Sequence, residues 1–105
     1  MNREIGKVVL NRSIAENFYE AEIIAPLISA HCKPGQFINI LPFSNWKNVM
    51  RRPMSVSFQD GEKIRIIYKI VGEGTEFISN WKSGDSVDLI GPLGNYWQNW
   101  DGYFP

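Results

Sequence analysis

Residues 52–75 constrain the fold of this chain more than any other stretch. Lys63 to Val71 alternates as a strand, with Ile64, Ile66, Tyr68 and Ile70 on one face and Arg65, Ile67, Lys69 and Val71 on the other. Both faces carry apolar groups, which reads as a central strand. Before it, Gln59-Asp60-Gly61-Glu62 is a tight hairpin connection with Asp-Gly as the turn. Arg52 to Phe58, rich in small and β-branched residues, is then its antiparallel partner. After it, Gly72-Glu73-Gly74-Thr75 stops the strand and opens a helix.

The remainder also reads as strands joined by turns. Residues 5–13 form a first strand. Phe18 to Ala25 forms a second, with Glu20 and Glu22 on one face and Tyr19, Ala21 and Ile23 on the other. Pro26 weakens any continuation. Pro34-Gly35 signals a turn, Gln36 to Leu41 is a third strand, and Pro42 ends it. Phe43 to Met50 is a polar, Asn-rich loop. Thr75 to Trp81 predicts a helix of about two turns, with Phe77, Ile78 and Trp81 on its apolar face and Gly74 or Thr75 as the cap. Ser83-Gly84-Asp85 turns the chain into a last strand, Ser86 to Ile90. Gly91-Pro92-Leu93-Gly94-Asn95 and an aromatic tail, Tyr96 to Pro105, follow. This pattern predicts a mainly all-β fold: a six-stranded antiparallel barrel, closed or nearly so, with one short helix. An open sandwich is the alternative. The expected organisation is one domain over residues 1–95 and a tail over 96–105.

Charge and composition exclude several classes of function. Formal net charge is zero, which argues against a nucleic-acid partner held by bulk electrostatics. No apolar run reaches the length of a membrane helix, and the N-terminus lacks a hydrophobic signal core, so the chain reads as cytoplasmic. One Cys and one His cannot build an internal disulfide, a structural zinc site or an iron–sulfur cluster. His31 and Cys32 are neighbours in a turn, where consecutive side chains diverge, and do not form a catalytic pair.

The chemistry concentrates in the hairpin. Arg51 and Arg52 offer planar forks of donors that match phosphate oxygens, Pro53 rigidifies their approach, and Ser55 supplies a hydroxyl that donates or accepts. The plainer alternative is a pair of surface arginines flanking an edge strand. Gly72-Glu73-Gly74-Thr75 lets a ligand approach the backbone and ends in free helical N–H groups, which suits a diphosphate. The plainer alternative is a turn capped by Thr75. It is neither a Walker loop nor G-x-G-x-x-G, because Phe77 stands where the third glycine belongs. Tyr68 is placed to stack on or hydrogen-bond a nucleotide, and Lys69 to add positive charge, unless the pair is merely inward and outward on a barrel strand. Folded together, these groups suit a flavin nucleotide. The aromatic tail, with Trp97 and Trp100, suits an interface.

In this order the motifs resemble the FAD-binding barrel of the ferredoxin reductase family. They are Arg52-Pro53-Met54-Ser55, Gly72-Glu73-Gly74-Thr75 and Gly84-Asp85 with Gly91-Pro92-Leu93-Gly94, and Pro34-Gly35-Gln36-Phe37 also fits. The resemblance implies a Greek-key barrel that binds FAD. It implies that Arg52, Pro53, Met54 and Ser55 meet the isoalloxazine and diphosphate. Ile67, Tyr68 and Lys69 line the ribityl chain and ring, and Gly74 and Thr75 bind the diphosphate. No catalytic residue of the chain's own is implied. Within the family the set is most similar to the electron-transfer subunit of B-type dihydroorotate dehydrogenase. That likeness implies a relay between NAD(P)H and the FMN of a catalytic flavoprotein partner, in pyrimidine biosynthesis.

The family's nicotinamide-binding domain and cluster cysteines have no counterpart in these 105 residues, so the chain reads as one component of an enzyme. Met54 stands where many members carry an aromatic residue. Two alternatives remain open: a flavin-free barrel that assembles with a partner or a second copy through its tail, or the FAD domain of another ferredoxin or sulfide reductase.

Overall fold

A computed structural model describes residues 2–33, 35–41 and 51–94. The Asn-rich loop and the aromatic tail, with Trp46, Trp97 and Trp100, lie outside the described residues. The elements are β1 (Asn2–Ala15), β2 (Phe18–Ile24), α1 (Pro26–His31), β3 (Phe37–Leu41), β4 (Arg52–Asp60), β5 (Lys63–Lys69), α2 (Glu73–Ile78) and β6 (Ser86–Leu93).

The strands close into a barrel in the order β1-β2-β5-β4-β3-β6, and every neighbouring pair is antiparallel. Closure of β1 on β6 leaves the sheet no outer edge strand. Period-two alternation fills the interior: Ala21 and Ile23, Ile38 and Ile40, Met54 and Val56, Ile64 and Ile66, and Val87 and Leu89 are all buried. Each large aliphatic side chain so buried contributes roughly 1.5–3 kcal/mol. Where the wall comes closest to the interior, no side chain fits. A Cβ on Gly6 would lie 2.9 Å from the Ile24 carbonyl oxygen, and one on Gly91 would lie 2.8 Å from Ile38 Cγ2.

The β4–β5 hairpin is present but shifted by one residue from its expected turn. Asp60 pairs with Lys63, so the central residues are Gly61-Glu62 rather than Asp60-Gly61. Gly61, at φ 60°, takes the first central position, which requires the left-handed region in this class of two-residue turn.

The expectation of a single helix is corrected by α1. Pro26 begins an element instead of ending one, because a proline at the first helical position gives up an N–H that has no intrahelical partner anyway. The next two amides find theirs far away in sequence. Glu4 of β1 accepts from Leu27 N–H at 3.1 Å and from Ile28 N–H at 2.9 Å. Ser29 is buried and its hydroxyl donates to the Gly61 carbonyl at 2.7 Å, which locks α1 to the hairpin. His31 is therefore helical and exposed, while Cys32 turns inward and burial pushes its thiol up. No helix among the described residues is long and apolar enough to cross a membrane.

Candidate functional site

β4 and β5 pair from Asp60↔Lys63 back to Val56↔Ile66, and there the ladder ends. Beyond it, β4 runs on to Arg52 against β3 alone, and β5 runs on to Lys69 against β2 alone. The wall of the barrel splits between them. Val56 N–H donates to the Gln36 carbonyl at 2.8 Å, so its main chain faces β3. Alternation therefore turns the Ser55 amide and carbonyl, and the Pro53 carbonyl, into the split. Ile70 N–H donates to the Asn17 carbonyl at 2.8 Å, toward β2. By the same alternation Ile67 and Lys69 present main-chain groups to the split from the other side. Such groups need partners. A planar molecule with donors and acceptors along its edge would satisfy both rims.

The split opens into a groove of about 410 Å³. Its β4 wall is Arg52, Pro53, Met54 and Ser55, and its β5 wall is Ile67, Tyr68 and Lys69, with Thr75 at the end. These are residues singled out from sequence, and the fold brings them onto one surface. Gly74 is buried just behind, and Val71, which sequence reasoning passed over, completes the lining. Val71 is 76% exposed and Ile67 is 44% exposed, so the rim presents bare apolar surface. Among the described residues, Arg52 and Lys69 are the charged members of the lining, and no carboxylate joins them. That balance favours an anionic ligand.

The adjacent arginines have different fates. Arg51 Nη2 donates to Asp88 Oδ1 at 3.0 Å, and its Nη1 donates to the Asp88 carbonyl at 3.3 Å. The Arg52 side chain makes no hydrogen bond or ion pair with any described residue. The guanidinium available to a ligand is thus Arg52. Lys69 Nζ sits 5.7 Å from the centre of the Phe18 ring.

Two hydroxyls named from sequence are already engaged. Tyr68 is only 3% exposed, and its ring stacks on Tyr19 at 5.8 Å. Its hydroxyl donates to Asn11 Oδ1 at 2.7 Å, and burial pushes the phenol up to about 12. Tyr68 is a floor for the groove, and its hydroxyl proton is already given to Asn11. Thr75 Oγ1 accepts from Val71 N–H at 2.8 Å and Gly72 N–H at 3.1 Å, and donates to the Gly72 carbonyl at 3.1 Å. It staples the turn, and what it leaves for a ligand is main-chain N–H. Glu73 and Glu76 in the first turn of α2 oppose an anion there, which places more of the recognition on Arg52. Met54 is 7% exposed and belongs to the core, so it offers the groove only a small apolar face.

A larger groove of about 630 Å³ is lined by Arg3, Ile5, Phe77, Trp81 and Asp88 among others. Its size does not make it the site. Arg3 and Asp88 are already paired with each other at 2.6 Å, whereas the β4–β5 groove holds a guanidinium and main-chain groups without partners among the described residues.

No family model matches the chain. Over 86 residues, 80% of its length, it is 44% identical to a dihydroorotate dehydrogenase B (NAD(+)) electron transfer subunit of Fusobacterium nucleatum. Over 97 residues, 90% of its length, it is 39% identical to the protein of the same description in Bacillus pumilus. A solved NADH-dependent reduced ferredoxin–NADP oxidoreductase superposes on 90% of the chain with a TM-score of 0.78 at 32% identity. The chain is a ferredoxin reductase-like FAD-binding barrel domain. It spans 33% and 38% of the two curated relatives and 34% of the solved chain.

Within this ferredoxin reductase-like barrel, Asn11 is the residue that sequence reasoning missed altogether. Besides accepting from Tyr68, its Nδ2 donates to the carbonyls of Ile78 at 2.9 Å and Trp81 at 3.3 Å. It joins the groove floor to the end of α2. Asn11 is one of several polar residues in the long first strand, and nothing in β1 announces partners on β5 and at the end of α2.

Proposed function

We propose that this chain is the FAD-binding barrel of an electron-transfer oxidoreductase subunit, relaying electrons between NAD(P)H and a partner flavoenzyme of dihydroorotate dehydrogenase type. The observation that carries this reading is the split between β4 and β5. It combines main-chain donors and acceptors, an apolar rim and an Arg52 side chain without a partner among the described residues, which suits a flat heteroaromatic ring joined to a diphosphate. The cofactor-binding unit is residues 1–95, and the reading keeps it in the cytoplasm.

Arg52 and the main-chain N–H groups of Gly74 and Thr75 would hold the diphosphate. Pro53, Ser55, Ile67 and Lys69 would hold the ring edge through the main chain, with the Ser55 hydroxyl beside it. Met54 and Tyr68 would lie beneath. FAD, when bound, supplies hydride and single-electron transfer, and the protein's part is binding, orientation and exclusion of water. Homology to the electron transfer subunits implies a catalytic dihydroorotate dehydrogenase partner. The 32% identity to the ferredoxin–NADP oxidoreductase favours ferredoxin as a second acceptor.

The test is the visible spectrum of the purified chain, taken after addition of excess FAD and desalting. Retained flavin bands of altered shape are expected, and a colourless product at every ratio would refute the reading. Reoxidation of the reduced, loaded protein by a dihydroorotate dehydrogenase catalytic subunit, compared with ferredoxin, discriminates the two acceptors.

A further inference from the structure

We propose that Arg51 and Asp88 act as positioning residues for Arg52, through a rung of charge that spans four adjacent strands. The inference rests on the flavin reading of the β4–β5 groove, although neither Arg51 nor Asp88 lines that groove.

The rung is defined by register. β3 lies between β4 and β6, with Ile40 opposite Arg52 on one side and Leu41 opposite Asp88 on the other. Strands two places apart are roughly 9–10 Å from each other. The Arg51 and Asp88 side chains together bridge that distance across β3. From the far side, Arg3 of β1 donates to the same carboxylate, from Nε at 3.1 Å and Nη2 at 2.6 Å. One carboxylate thus gathers a guanidinium from each flank, and β1, β6, β3 and the entry to β4 are tied in a row. The Arg3 side chain is 63% exposed and so contributes little, but Arg51 and Asp88 are 21% and 17% exposed, where a charge-assisted hydrogen bond holds better.

The tie matters because of where it falls. Residues 52–55 have lost β5 as a neighbour and retain pairing only with β3. A strand held on one side frays from its end, and this end is Arg52. Pinning residue 51 to β6 removes that freedom. It also fixes the direction of Arg52, since consecutive strand side chains point to opposite faces. The adjacent arginines then have separate tasks: Asp88 selects Arg51 as the anchor, and Arg52 is left to meet the ligand.

The experiment uses the full chain and FAD as the probe, titrated by flavin fluorescence. Arg51→Ala and Asp88→Ala are each expected to weaken FAD binding about five- to tenfold, with the double variant no worse than either single one. Arg51→Lys should recover part of the loss, because it keeps the charge but not the fork. Arg52→Ala, which removes the direct contact, should lose more. Hydrogen exchange without flavin gives a second readout: the Arg52 and Met54 amides, which face β3, should exchange faster in both single variants while Ile64 and Ile66 stay protected. Parental FAD affinity in Arg51→Ala and Asp88→Ala, alongside loss in Arg52→Ala, would overturn the proposal whatever the exchange shows. If the parent binds no FAD, the flavin reading falls with it. Exchange then decides the tie alone, and unchanged protection at Arg52 and Met54 would overturn that too.

Discussion

Tyr68 and Asn11 are joined by a 2.7 Å hydrogen bond from the phenol to Oδ1, and this buried contact links the floor of the groove to β1. The Asn11 amide nitrogen carries the link on to the Ile78 and Trp81 carbonyls at the end of α2. Asn11→Ala takes the partner from the buried Tyr68 hydroxyl and from the Trp81 carbonyl, while the Ile78 carbonyl keeps the Trp81 N–H; Tyr68→Phe removes one hydrogen bond and keeps the ring. Losses of about 2–4 kcal/mol for Asn11→Ala and about 1 kcal/mol for Tyr68→Phe are expected. Urea denaturation of both variants measures the difference, and equal losses would contradict the hub role of Asn11.

The same burial predicts an alkaline effect. The Tyr68 phenol ionises at about 12 in the folded protein, against 10 for the ordinary group. Between those values the unfolded chain gives up the proton and the folded one keeps it, so stability falls as pH rises from 10 toward 12. Ultraviolet titration of tyrosinate should show a late phase, and Tyr68→Phe should remove it.

Acid stability should depend on Glu22. This carboxylate is 6% exposed and accepts from Arg65 Nε at 2.7 Å, with Lys63 Nζ at 3.6 Å. The Arg65 hydrogen bond holds its carboxyl below the usual 4.5, against the upward push of burial. Its contribution is therefore complete above 4.5 and is lost as pH falls through the lower folded value. Glu22→Gln should flatten the acid limb of a plot of stability against pH. An unchanged slope would remove Glu22 from the account. Asp88 adds to the same limb: partial burial pushes it up, but hydrogen bonds from Arg3 and Arg51 outweigh that and hold it low.

Gly6 tests the closeness of the barrel wall. Its added Cβ would meet a backbone oxygen, which cannot swing aside as a side chain can. Gly6→Ala should cost about 1–3 kcal/mol. Gly72→Ala, where a Cβ meets nothing within 4 Å, is the control and should stay close to the parent in a thermal melt.

Arg52 carries the ligand prediction. Arg52→Ala removes a charge-assisted hydrogen bond of about 1.5–3 kcal/mol, so FAD affinity should fall by roughly ten- to 150-fold. Folding stability should change by less than about 0.5 kcal/mol, because Arg52 has no partner among the described residues. Tight FAD binding by this variant would remove the diphosphate contact.

Much of the fold was legible because its signals are local. Alternation in Lys63–Lys69 and in Phe18–Ile24 marked strands, since a half-buried strand imposes period two on its own residues, and turn signals at Pro34-Gly35 and Pro42 bounded a third. Helix α1 was illegible for the opposite reason. Its cap is Glu4, more than twenty residues upstream, and Pro26 alone looked like a breaker. The hairpin was legible but its exact turn was not. Asp60-Gly61 and Gly61-Glu62 both satisfy the local chemistry, and the choice belongs to the pairing of Asp60 with Lys63.

The candidate site divides along the same line. The resemblance of the motifs to the ferredoxin reductase barrel named Arg52 to Ser55, Ile67 to Lys69, Gly74 and Thr75 as an expected site, and the fold brings the lining members of that set onto one groove. Side-chain chemistry does not separate Arg51 from Arg52, and only the motif resemblance favours the latter. Asp88, more than thirty residues away, makes that distinction by claiming Arg51. Nor does the sequence show that the Tyr68 and Thr75 hydroxyls are committed, since Asn11 and the Val71–Gly72 amides become their partners only when the barrel closes. Strand identity follows from nearest neighbours along the chain. The split between β4 and β5, and an Arg52 guanidinium beside it without a partner among the described residues, follow from which strands lie next to which.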